Sequence, residues 1–378
     1  MPCITTDRVV EYGLRRRPAS PRGNVMAEPA SAPPPVRARP SRVGALRLSC
    51  RIADGAWVRR RPFLLYYKPT ARCDCRCSIC DRWRRQTRAD EELPLDTVRE
   101  ILGRFRRAGA TVLTLWGGEP LLRKDLPEVL AAAKELGFRT SMCTNCNALA
   151  KRADEVAPLL DVMLCSLDGR RELHDELRGM PGLFDRAVAG IRAATRHPGC
   201  DVKIWAVLHR RNVGDVEPLA RLSAELGVGI EFFPLSPIAG YNDELVLRPD
   251  ECEQAFAAVQ ELQRQGLPVR NPPRVLRIMR TGRAFRCNFP RIAIHLDHRG
   301  NVYSCEDPQG TPLHPWGGAA EFEPVTRYAT REFRDVTRRL MSCNRCRLPC
   351  VVELADSLPR ALAGMFLSRT SRRRARRS

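Results

Sequence analysis

The chain has 378 residues, of which 43% are hydrophobic, and this is enough to bury the core of one large domain and a smaller one. The sequence contains no apolar run long enough to span a bilayer and no secretion signal, so we predict a cytoplasmic protein. The net charge is +21, but 13 arginines lie in residues 1–61 and seven in residues 357–378, so the charge does not indicate a nucleic-acid-binding core.

Residues 1–61 are rich in proline, arginine, alanine and serine and have little apolar periodicity. We predict a disordered basic leader. The three arginines at 15–17 are followed by Pro-Ala-Ser-Pro-Arg-Gly instead of an apolar segment, which argues against a twin-arginine export signal. The sequence leaves open whether translation starts at Met1 or at Met26.

A dense group of cysteines follows the first predicted strand, 62–67. Cys73, Cys77 and Cys80 form a C-x3-C-x2-C pattern, which lets three thiolates converge on one iron–sulfur cluster and leaves one iron open to another ligand. Zinc is the alternative occupant. Cys75 falls outside the pattern, and we do not expect it to be a ligand. Sixteen cysteines without an export signal favour metal binding over disulfides.

Short strands then alternate with helices along the chain. We predict strands over 111–116, 138–143, 162–166, 202–208 and 229–233, and helices over 94–105, 126–136, 184–195, 216–226 and 248–265. Such alternation is typical of parallel strands joined by right-handed crossovers. The predicted fold is α/β, a partial (β/α)6 TIM-like barrel over residues 62–266, with its site at the carboxyl ends of the strands.

Polar and thiol-bearing motifs follow the second and third strands. Gly117 and Gly118 permit close backbone approach to a ligand, and Glu119 can accept a hydrogen bond from an ammonium, although a plain turn is the alternative. Cys143 and Cys146 flank Thr144-Asn145, and packing, redox and substrate contact stay open as their roles.

Further candidates follow the later strands. Ser166 ends the fourth strand, ahead of Asp168 and Arg178. His209 follows the fifth strand and Glu231 lies in the sixth, where either could move protons. A purely structural, hydrogen-bonded role is the alternative for His209, and a structural one for Asp168.

A second module is predicted over residues 267–356, with a small β-hairpin formed by 292–296 and 302–304. Cysteines separated widely in sequence can close four thiolates around one cluster or one zinc ion. The module contains Cys287, Cys305, Cys343, Cys346 and Cys350. Residues 357–378 form a basic C-terminal tail, which is either solvated or in weak contact with an anionic membrane surface.

The order of these motifs resembles that of the radical S-adenosylmethionine (radical SAM) enzymes. The resemblance implies that Cys73, Cys77 and Cys80 hold a [4Fe–4S] cluster whose open iron chelates SAM. In the family's Thr-Asn-Gly segment, Cys146 replaces the usual glycine. The implied cofactor-binding residues are Gly117, Gly118, Glu119, Asn145, Ser166 and Arg178.

The C-terminal module resembles the twitch and SPASM modules, which hold auxiliary [4Fe–4S] clusters. A full SPASM module needs about seven cysteines, so the resemblance implies a single twitch-like cluster. Its implied ligands are Cys287, Cys305, Cys343 and Cys346, with Cys350 as a substitute for one of them.

The resemblance implies an enzyme that reductively cleaves SAM to a 5′-deoxyadenosyl radical and abstracts hydrogen from its substrate, in an oxidation, epimerisation or related modification. A flavodoxin or ferredoxin is the expected electron donor. Residues 1–61 lack the periodicity of a precursor-binding domain, so we expect a small-molecule or lipid substrate, with peptide modification as the alternative. A non-catalytic metal-binding regulator that binds nucleic acid through its tails is the alternative from another class, and it predicts no SAM affinity.

Overall fold

A computed structural model describes residues 61–85, 87–307, 310–343, 346 and 352. In these ranges nine strands form a single sheet in the order β6-β5-β4-β3-β2-β1-β7-β8-β9. The strands are β1 (Leu64–Tyr67), β2 (Val112–Leu115), β3 (Arg139–Thr144), β4 (Val162–Ser166), β5 (Asp201–Leu208), β6 (Gly229–Pro234), β7 (Ala293–Leu296), β8 (Asn301–Glu306) and β9 (Pro312–Gly318).

Helices connect the strands. Those with described bounds are α1 (Leu95–Arg107), α2 (Leu126–Glu135), α3 (Leu149–Val156), α4 (Arg171–Arg178), α5 (Leu183–Thr195), α6 (Val216–Glu225), α7 (Pro249–Arg264), α8 (Pro273–Thr281), α9 (Phe289–Ile292), α10 (Pro324–Tyr328) and α11 (Arg331–Leu340).

Strands β1 to β6 pair in parallel with their neighbours, and the row of strands does not close on itself. Along β3 and β5, buried and half-buried residues alternate. The buried set, including Met142 and Ile204, packs in the main core. Cys143, Trp205 and Val207 belong to the half-buried set and line a cavity. The predicted partial barrel is confirmed.

The C-terminal hairpin extends the barrel sheet and does not form a sheet of its own. Strand β7 lies parallel to β1, with Leu64 opposite Ala293 and Tyr67 opposite Leu296, and β8 and β9 continue antiparallel. The predicted hairpin is present, but β9 was not predicted because it contains Pro312 and Pro315. An edge strand tolerates proline because one row of its amides has no partner strand.

No helix of the described ranges is both long and apolar enough to cross a membrane. The tail 357–378, Cys350 and all but the last residue of the leader 1–61 lie outside the described residues. The predicted boundaries of the leader, barrel, second module and tail stay predictions.

Candidate active site

A cavity of about 300 Å³ lies at the carboxyl ends of the barrel strands, where the fold class places ligands. It brings together segments that are more than 250 residues apart in sequence. The predicted site residues that line it are Cys73, Cys77, Cys80, Gly117, Gly118, Glu119, Asn145, Ser166, Arg178, Cys287, Cys305, Cys343 and Cys346.

The loop that carries the first cysteines packs against the Gly-Gly-Glu segment. Gly118 N donates to Thr70 O at 3.2 Å, and Glu119 N donates to Arg72 O at 2.8 Å. A Cβ on Gly118 would stand 2.1 Å from Arg72 O. The structure therefore explains why position 118 requires glycine: its backbone closely approaches the cysteine loop, a contact that the sequence did not show.

The end of α4 holds the same loop from the other side. Arg76 N donates to Arg178 O at 3.0 Å, and Ser78 N donates to Leu177 O at 2.8 Å. The helix ends at Gly179 with φ of 59°, and a Cβ there would lie 2.6 Å from Arg76 O. Glycine alone combines this left-handed conformation with so close a contact.

Residues after β6 hold the carbonyl groups of the cysteine loop. The Tyr241 hydroxyl donates to Cys77 O, and Asn242 Nδ2 donates to Ile79 O at 3.3 Å. Trp83 Nε1, from the turn that directly follows the cysteines, also donates to Cys77 O. Sequence reasoning missed Tyr241 and Asn242, because a side chain that binds a distant carbonyl leaves no local pattern.

Cys75 lies outside the cysteine pattern, and its thiol is buried between its neighbours. Hydrogen bonding by Cys75 lowers the pKa of Cys77 to about 7, while burial raises the pKa of Cys80. A lowered pKa favours the thiolate, which is the form that binds iron. Three soft thiol donors on one cavity wall, carried by a loop held on three sides, fit an iron–sulfur cluster.

Glu119 is buried beside this loop. Its carboxylate accepts from Thr144 Oγ1 at 2.7 Å, from Asn145 N at 2.7 Å and from Leu121 N at 3.1 Å. Burial raises the pKa of Glu119 to about 7, although these hydrogen bonds oppose the rise. A carboxylate has about four acceptor positions, so one remains for a cation in the cavity.

Asn145 links the end of β3 to the cysteine loop. Its Nδ2 donates to Asp74 Oδ1 at 2.6 Å, and Asn147 Nδ2 donates to Asp74 Oδ2 at 2.7 Å. Cys146 follows with φ of 68°, in the left-handed region that glycine favours. This conformation is a physical reason why glycine is usual at this position in the family that the sequence resembles.

Arg178 and Ser166 occupy the adjoining wall. Arg178 Nε donates to Asp168 Oδ2 at 2.7 Å, and Val207 N donates to Asp168 Oδ1 at 2.8 Å. Asp168 is fully buried and is absent from the described cavity wall, so it orients the guanidinium that faces the cavity. Ser166 hydrogen-bonds the Cys143 thiol, whose pKa burial raises to about 12.

The two proton-transfer candidates are not among the described residues that line the cavity. His209 is buried, its Nδ1 accepts from Arg211 N at 3.2 Å, and burial lowers its pKa to about 4. Glu231 accepts from Lys203 Nζ at 2.8 Å and from Trp205 Nε1 at 2.9 Å. Glu231 thus orients the indole of Trp205, which lines the cavity. Catalytic roles for His209 and Glu231 stay predictions.

The second cysteine group lines the same cavity. Cys287, Cys305 and Cys346 pack with Trp116 and Phe289 in a small apolar cluster. Burial raises the pKa of Cys287 to about 11, so a bound metal must displace its proton. Among the described residues, no three His, Cys, Asp or Glu side chains lie close enough to share one metal ion.

Residues 67–222 match the sequence model of the radical SAM superfamily. This chain contains a radical SAM domain. Proteins of this superfamily use a [4Fe–4S] cluster and SAM, and the domain spans both the cysteine pattern and the Gly-Gly-Glu segment.

Two curated relatives come from Methanosarcina barkeri (strain Fusaro / DSM 804). A protein named Fe-coproporphyrin III synthase is 30% identical over 209 residues, covering 53% of this chain and 52% of the relative. A protein named AdoMet-dependent heme synthase is 29% identical over 226 residues, covering 58% of this chain and 64% of the relative. This chain thus spans between half and two thirds of the length of these relatives.

A solved structure with a similar fold is that of Streptococcus suis SuiB bound to S-adenosylmethionine. Its TM-score is 0.62 at 18% identity, over 78% of this chain and 74% of that chain. At this identity the likeness shows the fold alone.

Proposed function

We propose that this chain is a radical SAM enzyme that cleaves SAM at a [4Fe–4S] cluster and removes hydrogen from a small organic substrate. The observation that carries the proposal is the convergence of both cysteine groups and the cofactor segments on one cavity. When bound, cluster and cofactor supply a 5′-deoxyadenosyl radical. The proposal includes a flavodoxin or ferredoxin as electron donor and a cytoplasmic location.

Different residues of the barrel would hold the cluster and the separate polar groups of the cofactor. Cys73, Cys77 and Cys80 hold the cluster, and the carboxylate of Glu119 accepts from the ammonium of the methionine moiety. Arg178, oriented by its buried ion pair, donates to the cofactor carboxylate together with Ser166. The close packing of the cysteine loop against Gly118 would keep the cluster ligands next to the segment that would bind the cofactor.

The rest of the cavity wall is mainly aromatic and aliphatic. Trp83, Trp116, Trp205, Phe233 and Phe285 line it. A 5′-deoxyadenosyl radical does not itself discriminate between C–H bonds. An apolar wall makes the reaction selective because it excludes water and holds one C–H bond of the substrate in place.

We further propose that Cys287, Cys305, Cys343 and Cys346 hold a second cluster. Three roles are open for this second cluster: it accepts an electron from the substrate, binds the substrate directly, or stabilises the C-terminal module as a scaffold. The shared cavity supports a role in chemistry, because both cysteine groups face the space that the substrate would occupy.

Reductive cleavage of SAM tests the proposal. Anaerobically reconstituted protein, reduced with dithionite, should convert SAM into 5′-deoxyadenosine and methionine. Combined replacement of Cys73, Cys77 and Cys80 by alanine should abolish cleavage and remove about half of the iron. Stoichiometric zinc in place of iron, with no cleavage, would contradict the proposal.

We propose an iron tetrapyrrole as the candidate substrate, ahead of a lipid or a peptide. The two relatives are named for Fe-coproporphyrin III and heme, and a flat macrocycle suits walls built from indole and phenyl rings. Anaerobic incubation with Fe-coproporphyrin III, SAM and reductant should yield a product of changed mass. Unchanged Fe-coproporphyrin III, alongside active SAM cleavage, would reject this substrate.

A further inference from the structure

A largely buried group of three charges joins residues flanking the first cysteine group to the strand that carries Cys305. Arg82 Nη2 donates to Glu306 Oε1 at 2.6 Å, and Lys68 Nζ binds Glu306 Oε2. The Glu306 side chain is 4% exposed. Burial and the Arg82 charge lower the pKa of Lys68 to about 8, which leaves it an ammonium at pH 7. Two cations therefore share the Glu306 carboxylate, and of these two Arg82 lines the largely apolar cavity, together with Asp307. A guanidinium in such a cavity favours an anionic ligand.

Two side chains beside this group have buried nitrogen atoms with no hydrogen-bond partner among the described residues. They are Trp116, through Nε1, and His295, through both ring nitrogens. The two rings lie 6.4 Å apart between centroids, and the Arg82 guanidinium lies 4.8 Å from the Trp116 ring centroid. Leaving such groups unpaired in the interior costs free energy, so a site of this kind favours an acceptor from a ligand.

The orientation of His295 is set by stacking. Tyr66 lies 5.3 Å from it with an interplanar angle of 23°, and Tyr303 lies 5.1 Å from it at 25°. Because tyrosine rings stack on the imidazole, its hydrogen bonds must be made at the ring edge. Burial lowers the pKa of His295 to about 4, so at neutral pH the ring is neutral and offers one N–H donor.

We infer that Arg82, Trp116 and His295 form a carboxylate-binding subsite for a flat aromatic substrate that carries carboxylate side chains. All three residues line the cavity that holds both cysteine groups. A carboxylate accepts from the guanidinium, the indole N–H and the imidazole N–H. This assignment rests on the proposed function and names the feature of the substrate that the site recognises.

Paired ligands test the subsite. Reconstituted protein is titrated anaerobically with Fe-coproporphyrin III and, separately, with its tetramethyl ester, and binding is followed by the tetrapyrrole absorbance. The free acid should bind at least about tenfold more tightly than the ester. Trp116→Phe and His295→Phe should each weaken binding of the acid about tenfold and binding of the ester less, because an uncharged ester carbonyl is a weaker acceptor than a carboxylate, so the ratio of acid to ester affinity should fall.

Matched variants separate a lost hydrogen bond from altered packing. Trp205→Phe makes the same substitution in the same cavity, but the Trp205 indole already donates to Glu231, so the ratio of acid to ester affinity should stay as in the wild type. His295→Asn keeps an N–H donor and should recover part of the affinity that His295→Phe loses.

Three results would overturn the subsite. Equal affinity for acid and ester would do so, as would absence of binding by either ligand. Unchanged affinities in Trp116→Phe and His295→Phe, with a shifted midpoint potential of the second cluster, would assign the two donors to that cluster. In each case, retained SAM cleavage by the wild-type protein shows that the proposed function still stands, whereas lost cleavage counts against that function.

Discussion

Two buried carboxylates in the cavity wall show how neighbours set the state of a residue. Glu306 lies between two cations, which lower its pKa to about 2 although burial opposes the shift. Glu119 has only neutral hydrogen-bond donors, and burial raises its pKa to about 7. A nearby cation favours the ionised form, so Glu119 gains most from a cation that arrives with a ligand.

We expect SAM binding to depend on the charge of Glu119. Below about pH 7 the free protein holds Glu119 protonated, so apparent affinity should fall as the pH falls from 8 to 6. Glu119→Gln should bind SAM roughly tenfold to a hundredfold more weakly, since a charge-assisted hydrogen bond contributes about 1.5–3 kcal/mol. Equilibrium dialysis measures this.

Iron content serves as the control for that variant, because Glu119 is not an iron ligand. It should equal that of the wild type, and the pH dependence should disappear. Wild-type SAM affinity in Glu119→Gln would show that the Gly-Gly-Glu segment does not hold the cofactor amino group.

At the scale of elements, the cysteine loop has almost no regular structure, and other elements position it. The Gly-Gly-Glu segment, the end of α4 and the loop after β6 each hydrogen-bond its backbone. Buried backbone groups need partners, and a loop between strand and helix finds them only in neighbouring elements. The geometry of the three thiols therefore depends on residues far from them in sequence.

Tyr241→Phe should loosen this loop without removing a ligand. It deletes the hydroxyl that donates to Cys77 O, which costs about 0.5–1.5 kcal/mol. We expect faster loss of iron to a chelator under anaerobic conditions.

Tyr328→Phe is the matched control for this variant, because the buried Tyr328 hydroxyl has no hydrogen-bond partner in the described part of the chain. Equal rates of iron loss in the two variants would remove the role assigned to Tyr241.

For the whole molecule, the decisive arrangement is the pairing of β7 with β1. The chain leaves β1 into the first cysteine group, and the strand after β7 carries Cys305. Because β1 is central in the sheet, both cysteine groups face one cavity. The hairpin is thus a structural part of the barrel wall.

Combined replacement of Cys305 and Cys343 by alanine should lower the iron content from about eight to about four per chain. SAM cleavage should persist, because the first cluster keeps its ligands. If the second cluster accepts the substrate electron, the variant should form 5′-deoxyadenosine with substrate and accumulate little oxidised product.

Full product yield from this folded variant would reject the electron-acceptor role. Loss of soluble protein would instead favour a scaffolding role for the second cluster.

Local patterns on the chain were enough to predict strands β1 to β8 and the helices α1, α2, α5, α6 and α7, but not β9 or the other described helices. The fourth strand was predicted at its observed bounds, because a short apolar run between turn residues indicates a strand directly. The cysteine spacing likewise predicts a ligand set from local sequence alone, and that ligand set stays a prediction.

Only the tertiary structure decided which distant groups meet. That β7 joins the barrel sheet, that Tyr241 supports the cysteine loop, and that Trp116 faces His295 all depend on packing across the chain. It also decided that His209 and Glu231 bond to protein groups, away from the described cavity wall. The reason is physical: spacing along a strand determines the face on which a side chain lies, whereas its neighbours follow from the burial of the whole core.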